Sequence, residues 1–282
     1  MDVLIDQSWL IDLYIIILGL IFGSFASALT YRLPRQRAWL LEEIGETSQA
    51  HNATFWTGLK SRSRCTKCHT ILGVWDLIPF FSYVIAGGKC RHCKAPISRR
   101  YPLIELMTAF ILWLIYIQLG FTVTSVLLMI SLPLMMASIF IDFEFLILPD
   151  ELTASFAVLG LMNLVAINFF TGFHIAPFES VAMQFGCALF YGFFGWAMRA
   201  GFYQVTGKEG LGLGDVKLFA VAGLWLGWGV MPFYLLLACF IGLIVGGLWR
   251  ILRKEALFPF GPALILSVYL VILYRDFFYN LL

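Results

Sequence analysis

Charge is scarce in this chain. Only 13% of its 282 residues are Asp, Glu, Lys or Arg, against 61% that are hydrophobic. A soluble domain of this length needs far more polar surface, so the ordinary soluble classes are excluded. Histidine is rarer still. There are four, none in a His-Glu-x-x-His pattern, which excludes an intramembrane zinc protease of that kind. His51, His69, His92 and His174 fall in loops while Ser24 and Ser27 fall in an apolar run, so no Ser/His pair is placed for nucleophilic catalysis. The first eight residues carry Asp2 and Asp6 but no Lys or Arg. Without a positive n-region the N-terminus is not expected to be a cleavable signal.

Long apolar runs are what the chain has in abundance. They do not alternate in period two, so helices rather than barrel strands are expected. Eight spans are read, at about 9–30, 102–118, 123–141, 152–170, 182–200, 216–229, 231–251 and 261–277. The fold class expected is an all-α polytopic membrane protein with about eight transmembrane helices and a small cytoplasmic tetracysteine zinc-binding insert. The expected domains are a first transmembrane helix (1–30), the insert (31–101) and a membrane domain (102–282).

Basic charge is concentrated. Twelve of the 19 Lys and Arg fall between Arg32 and Arg100, with only Glu42, Glu43, Glu46 and Asp76 among them. The positive-inside rule places this insert in the cytoplasm. The later loops then alternate, and every remaining basic residue except Arg275 lands on the cytoplasmic side. Pro34 ends the first span. Residues 35–64 read as a polar tether with a short helix at Trp39–Ile44. Residues 171–181, with Gly172, His174 and Pro177, read as an outer loop.

Two constellations carry chemistry. Cys65-Thr-Lys-Cys68 and Cys90-Arg-His-Cys93 are C-x-x-C pairs with 21 residues between them, a spacing that fits a tetrahedral Cys₄ zinc site built from two knuckles. Four protein ligands leave no open position, so such a metal is structural. Lys67, Lys89, Arg91 and Lys94 favour the thiolate forms. Disulfides, a dithiol redox pair and the C-x-x-C-H haem pattern at Cys65–His69 compete with it; a cytoplasmic location disfavours the first and the last. Cys187 and Cys239 stand alone in apolar spans, where small buried hydrophobes are the plain reading.

The second constellation is a pair of carboxylates. Asp142 ends the third span and Asp215 opens the sixth, in Glu209-Gly-Leu-Gly-Leu-Gly-Asp215-Val-Lys-Leu218. The topology puts both at the same cytoplasmic border. Carboxylates at a membrane border are functional candidates, and two in contact form one acid and one base for hydrolysis. Spacing alone leaves open that they are ordinary interfacial residues. Gly210, Gly212 and Gly214 are read as a turn with φ > 0 or close backbone approach rather than a plain helix start. As a nucleotide or S-adenosylmethionine loop they are a weak match, since no α/β unit surrounds them. Asp150 is the rival partner, expected to cap the next helix with Glu151. Glu105 reads as an interfacial residue favoured by a helix N-terminus.

These residues resemble a known family. Gly-Leu-Gly-Asp215 is similar to the G-x-G-D signature of intramembrane aspartyl proteases, and the surroundings narrow this to the type IV prepilin peptidases, also called prepilin leader peptidase/N-methyltransferases. Glu209–Leu218 resembles that family's second aspartate motif and Ile141–Asp150 its first. Gly23-Ser-Phe25, Tyr31-Arg-Leu-Pro34, Trp75-Asp-Leu-Ile-Pro79, Gly88–Cys93, Pro96-Ile-Ser98, Arg100–Glu105 and Pro259-Phe-Gly-Pro262 follow in the family's order, from about residue 20 to 265. The resemblance implies that Asp142 and Asp215 are catalytic and Asp150 is not. It implies cleavage of a basic leader from prepilins and pseudopilins, after a Gly, at the cytoplasmic face of the bacterial inner membrane. It further implies S-adenosylmethionine-dependent methylation of the new amine, and a tetracysteine domain at Cys65, Cys68, Cys90 and Cys93. The expected partners are those precursors and the lipid bilayer, with no nucleic acid. Two alternatives stand beside it: a non-enzymatic assembly factor that docks through the zinc loop, and a G-x-G-D protease of other membrane helices.

Overall fold

The computed structural model describes residues 8–34, 62–170, 177–208, 210–254 and 257–281. Each of the eight apolar stretches is a helix, because a chain without water around it satisfies its backbone most simply by i→i−4 bonding. In chain order they are α1 (Ser8–Arg32), α3 (Arg100–Leu119), α4 (Val123–Phe145), α5 (Asp150–Phe170), α6 (Pro177–Thr206), α7 (Leu213–Leu226), α8 (Met231–Arg253) and α9 (Gly261–Leu273). A short α2 (Phe81–Ile85) lies in the insert and a short α10 (Arg275–Tyr279) follows α9. The described residues form no strand, only isolated bridges. The expected helix at Trp39–Ile44 lies outside the described residues, as do 171–176. Pro177, expected in a loop, opens α6.

Six of these helices are long and apolar enough to cross a membrane. The other two are shorter than expected. The 14 residues of α7 and the 13 of α9 span about 21 Å and about 20 Å at 1.5 Å per residue, against a hydrocarbon layer of about 30 Å. Helix α7 stops before Gly227, whose φ of 79° leaves the helical region. Helix α9 stops at Leu273, ahead of the polar pair Arg275 and Asp276.

The chain divides into two compact units. One takes in Met1–Ile117 with Leu132–Ala137 from α4; the other takes in Gln118–Ser131 and Ser138–Leu282. In the first, α1 and α3 approach closely at small residues. A Cβ on Gly19 would stand 2.5 Å from Ala109 Cα, and one on Gly23 would stand 2.5 Å from Glu105 Cα. Arg100 donates to Thr30 Oγ1 at 2.6 Å across the same pair.

The second unit is organised by aromatic side chains. Phe156 of α5 stacks between Trp225 of α7 and Tyr269 of α9, with centroids 5.1 and 6.2 Å away. Trp225 Nε1 donates to the Phe156 carbonyl at 3.1 Å, and the Tyr269 hydroxyl lies 2.6 Å from Ser131 Oγ. Indole and phenol are thus buried with their polar atoms bonded, as burial requires. The C-terminal half of α7 is buried, Val221 to Leu226 without interruption. Among its last carbonyls Gly223 accepts the Gly227 N–H at 3.3 Å, and α6 supplies further donors to this end. Gln184 donates to Gly223 and Leu224, at 3.3 and 2.8 Å, and the Tyr191 hydroxyl donates to Gly227 at 2.9 Å. These contacts hold the C-terminal end of α7.

Helices α6 and α7 touch backbone to backbone at Gly223, where a Cβ would stand 2.8 Å from both Ala188 Cα and the Cys187 carbonyl. Gly223→Ala is expected to push the pair apart and cost roughly 1–3 kcal/mol, the usual range for overpacking. An intrinsic-fluorescence melt in detergent should show a lower Tm; an unchanged Tm would mean that the contact is slack.

Candidate active site and metal centre

Asp142 lies in the last turn of α4, which runs about one turn beyond the expected end of that span. The helix closes at Leu146, a non-glycine residue at φ 55°, whose N–H bonds the Asp142 carbonyl at 2.9 Å. The side chain is 5% exposed. A carboxyl buried this deeply needs a donor, and the Gly261 N–H supplies one at 3.0 Å to Oδ2. Gly261 is the first residue of α9, where backbone N–H groups have no helical partner. A Cβ there would stand 2.7 Å from Oδ2, so a side chain at 261 would displace the carboxylate.

Asp215 occupies the first turn of α7, half-buried. Its Oδ2 accepts the Gly212 N–H at 3.1 Å, the reach-back of a carboxylate over a helix N-terminus. Asp142 and Asp215, 73 positions apart in the sequence, lie within electrostatic range of one another, and Leu148 packs beside the glycine next to each. The preceding glycines meet one part of the sequence expectation, close approach, and not the other, a left-handed turn. None of Gly210, Gly212 and Gly214 has positive φ, and α7 starts as an ordinary helix. What they provide is proximity: a Cβ on Gly214 would stand 3.0 Å from Leu148 Cβ, and one on Gly210 would stand 2.4 Å from the Phe202 ring.

Leu148 links the two motifs. It lies in the short connection between α4 and α5, half-buried, against Gly214 on one side. On the other side its Cδ atoms stand 2.9 and 3.1 Å from where a Gly261 Cβ would be. The side chain therefore borders the residue next to Asp215 and the residue that holds Asp142. Sequence reading gave Leu148 no role, because nothing local marks one Leu among many.

Asp150 does not join the pair. It begins α5 and accepts from Lys217 Nζ at 2.7 Å, both side chains being more than half exposed. An exposed ion pair of this sort contributes about 0–1 kcal/mol; its geometric effect is to tie the start of α5 to the start of α7.

The four cysteines converge. Their Sγ atoms all lie within 4.8 Å of one another, with Cys65 and Cys93 3.8 Å apart. Two matching knuckles hold them. Cys65 N–H bonds Thr70 O and His69 N–H bonds Cys65 O; Cys90 N–H bonds Ala95 O and Lys94 N–H bonds Cys90 O. His69 and Lys94, at φ 56° and 60°, occupy equivalent left-handed positions. Bonds from the Thr70 hydroxyl and N–H pull the Cys68 thiol down to about 6, and N–H groups of Cys93 and His92 lower Cys90. Cys93 bonds the Ala95 N–H, yet partial burial and the three neighbouring sulfurs push it up to about 11. None of the four is in a disulfide.

Glu105 departs from its expected interfacial role. It is 7% exposed, accepts the Phe80 N–H at 2.7 Å and bonds Ser24. It therefore clasps the insert to α1 and α3 through a partner 25 positions away in sequence. A cavity of about 700 Å³ opens in this first unit, bordered by Ser24, Tyr31, Arg32, Tyr101 and Glu105 beside the cysteine knuckles.

Comparison with known proteins brings the two units under one description. Residues 17–119 match the bacterial peptidase A24 N-terminal domain and residues 127–247 match the type IV leader peptidase family. A prepilin leader peptidase/N-methyltransferase of Pseudomonas aeruginosa is 35% identical over 273 residues, covering 93% of this chain and 89% of that protein. Proteins of the same name from Neisseria gonorrhoeae and Pectobacterium carotovorum are 33% and 37% identical, covering 92% and 87% of the chain and 89% and 87% of those proteins. No solved structure matches the chain. Matches that run through both the cysteine insert and the two aspartate motifs, over most of every relative's length, show that this chain belongs to the type IV leader peptidase family.

Proposed function

We propose that this protein is a multi-pass membrane enzyme that removes the basic leader from type IV prepilins and pseudopilins at the cytoplasmic face of the inner membrane. We infer that it then methylates the new N-terminus. The observation that carries the peptidase reading is the convergence of Asp142 and Asp215 from separate helices, each held by a glycine N–H.

Two carboxyls that repel do not both ionise, so one retains its proton while the other acts as base. The base takes a proton from water, and the water oxygen forms a bond to the scissile carbonyl carbon. The acid gives its proton to the carbonyl oxygen. Collapse of the tetrahedral intermediate breaks the C–N bond, and the amine leaves with a proton from the pair. Gly261 and Gly212 hold the carboxylates through backbone amides, leaving one oxygen of each free of those bonds for water and substrate. A pilin precursor is an apolar helix with a basic leader, so its scissile bond falls at a membrane border.

For the second activity, S-adenosylmethionine supplies a methyl group on a sulfonium centre. The cavity of the first unit supports its placement there. It has a volume suited to a nucleoside-sized ligand, and Tyr31, Tyr101, Arg32 and Glu105 offer rings, a cation and a carboxyl. The Cys₄ cluster supports zinc. A tetrahedral ion with Zn–S of about 2.3 Å sets sulfurs about 3.8 Å apart, the Cys65–Cys93 separation found here. With every position filled by thiolate, such a metal holds the insert together and takes no part in chemistry.

Asp142→Asn and Asp215→Asn are each expected to lower leader cleavage by about 10²–10⁴-fold, while Asp142→Asn leaves methylation of a pre-cut pilin intact. Mass spectrometry of the pilin N-terminus reads both; equal cleavage by wild type and variants would remove the aspartates from the mechanism. Leu148→Ala should widen the space beside the carboxylates. Against a precursor series with Gly, Ala or Val before the cut, it should raise the relative rate for the larger residues by roughly 10-fold or more. An unchanged ratio would leave Leu148 as packing alone. Purified protein should carry about one zinc per chain, lost in Cys90→Ser together with protease resistance of the insert; full protease resistance without metal would argue that the knuckles fold by themselves.

A further inference from the structure

The insert carries a row of large apolar side chains that none of the described residues covers. Val74 is 81% exposed, Trp75 73% and Ile85 73%, with Val84, Phe81 and Leu77 at 57, 54 and 41%. Val74 and Trp75 lie on a 3₁₀ turn (Val74–Asp76), Leu77 follows it, and Phe81, Val84 and Ile85 lie on α2; neither element buries a single residue. Exposed apolar surface of this density marks an interaction site.

Where this surface lies follows from Glu105. The carboxyl takes the N–H of Phe80, the residue that opens α2, at 2.7 Å. Glu105 is five residues into α3, about 7.5 Å along its axis from Arg100. Helix α3 is one of the helices able to cross a membrane. The start of α2 is therefore fastened beside the second turn of a helix able to span a membrane, one turn past Arg99 and Arg100. Phe80 is itself held at φ 61°, an uncommon conformation for an aromatic residue. The Glu105 bond and the edge contact between Phe80 and Phe81 (5.7 Å) accompany this turn.

Charge completes the description. Between residues 62 and 100 there are eight Lys and Arg and one acid, Asp76, a balance of 8 − 1 = +7. That acid is already paired with Arg91 at 3.2 Å. Apolar side chains with a Trp, flanked by cations and set at the end of a spanning helix, are what the headgroup layer of an anionic bilayer accommodates.

We propose that residues 74–85 are an interfacial anchor, seated in the headgroup and upper acyl region of an anionic phospholipid bilayer. The anchor lays the cysteine knuckles on the membrane surface. It stands independently of the peptidase reading.

The test uses the full-length protein in nanodiscs of phosphatidylethanolamine and phosphatidylglycerol, comparing wild type with Trp75→Phe so that the difference reports Trp75. With lipids brominated high on the acyl chain, the Trp75 signal should be lost, while aqueous iodide should leave it. Quenching by iodide would overturn the anchor, and so would shielding from both quenchers, which would mean that protein covers the surface. Iodide quenching that disappears on adding a prepilin peptide would assign the surface to substrate instead. As a second variant, Ile85→Glu should move Trp75 from lipid to iodide quenching with zinc content unchanged. If Trp75 stays lipid-quenched in that variant, the apolar face is not what seats it.

Discussion

An ionisable carboxyl inside an apolar bundle must be met by donors, because its hydration is gone. Here the donors are backbone amides at helix starts. Asp142 is met by the first N–H of α9, and Asp215 by the N–H just ahead of α7. Amides of this kind are otherwise without partners, so the bundle gains an acceptor for each at the point where it places a carboxylate. The requirement reaches outward. The amide donors must be at glycine, since a Cβ at 261 would collide with the carboxylate. The helices must start where they do, which the stacked ring set of Phe156, Trp225 and Tyr269 enforces from the far end.

Much of this was legible in the sequence because it is local. Apolar runs become helices wherever they occur, and eight did. The C-x-x-C spacing dictates a knuckle, and both knuckles formed with the same bonds. Asp142 and Asp215 stand out because charge is rare here, and the expected topology assigns them to one side of the membrane.

The rest depended on partners distant in the chain. Glu105 was read as an interfacial residue because its neighbours in sequence suggest that; its bond to Phe80 is not visible from spacing. The Gly-x-Gly-x-Gly214 run suggests left-handed turns or close approach, and only the second is found: Phe202 and Leu148, both from other segments, pack against Gly210 and Gly214. The ends of α7 and α9 were placed too late because hydropathy continues past them, whereas the helix stops where Gly227 turns and where Arg275 follows. Pro259-Phe-Gly-Pro262 was legible as a motif without its purpose, which is to deliver one amide to Asp142.

The shortness of α7 and α9 has a consequence for the lipid around them. Helices of about 20 Å leave roughly 10 Å of a 30 Å hydrocarbon layer unmatched. Both begin at the carboxylates. The missing length is met either by a thinner bilayer or by solvent over the helix ends. On the proposed peptidase reading, water that enters over the helix starts reaches the carboxylates without a dedicated channel, and the cleavage rate follows acyl-chain length.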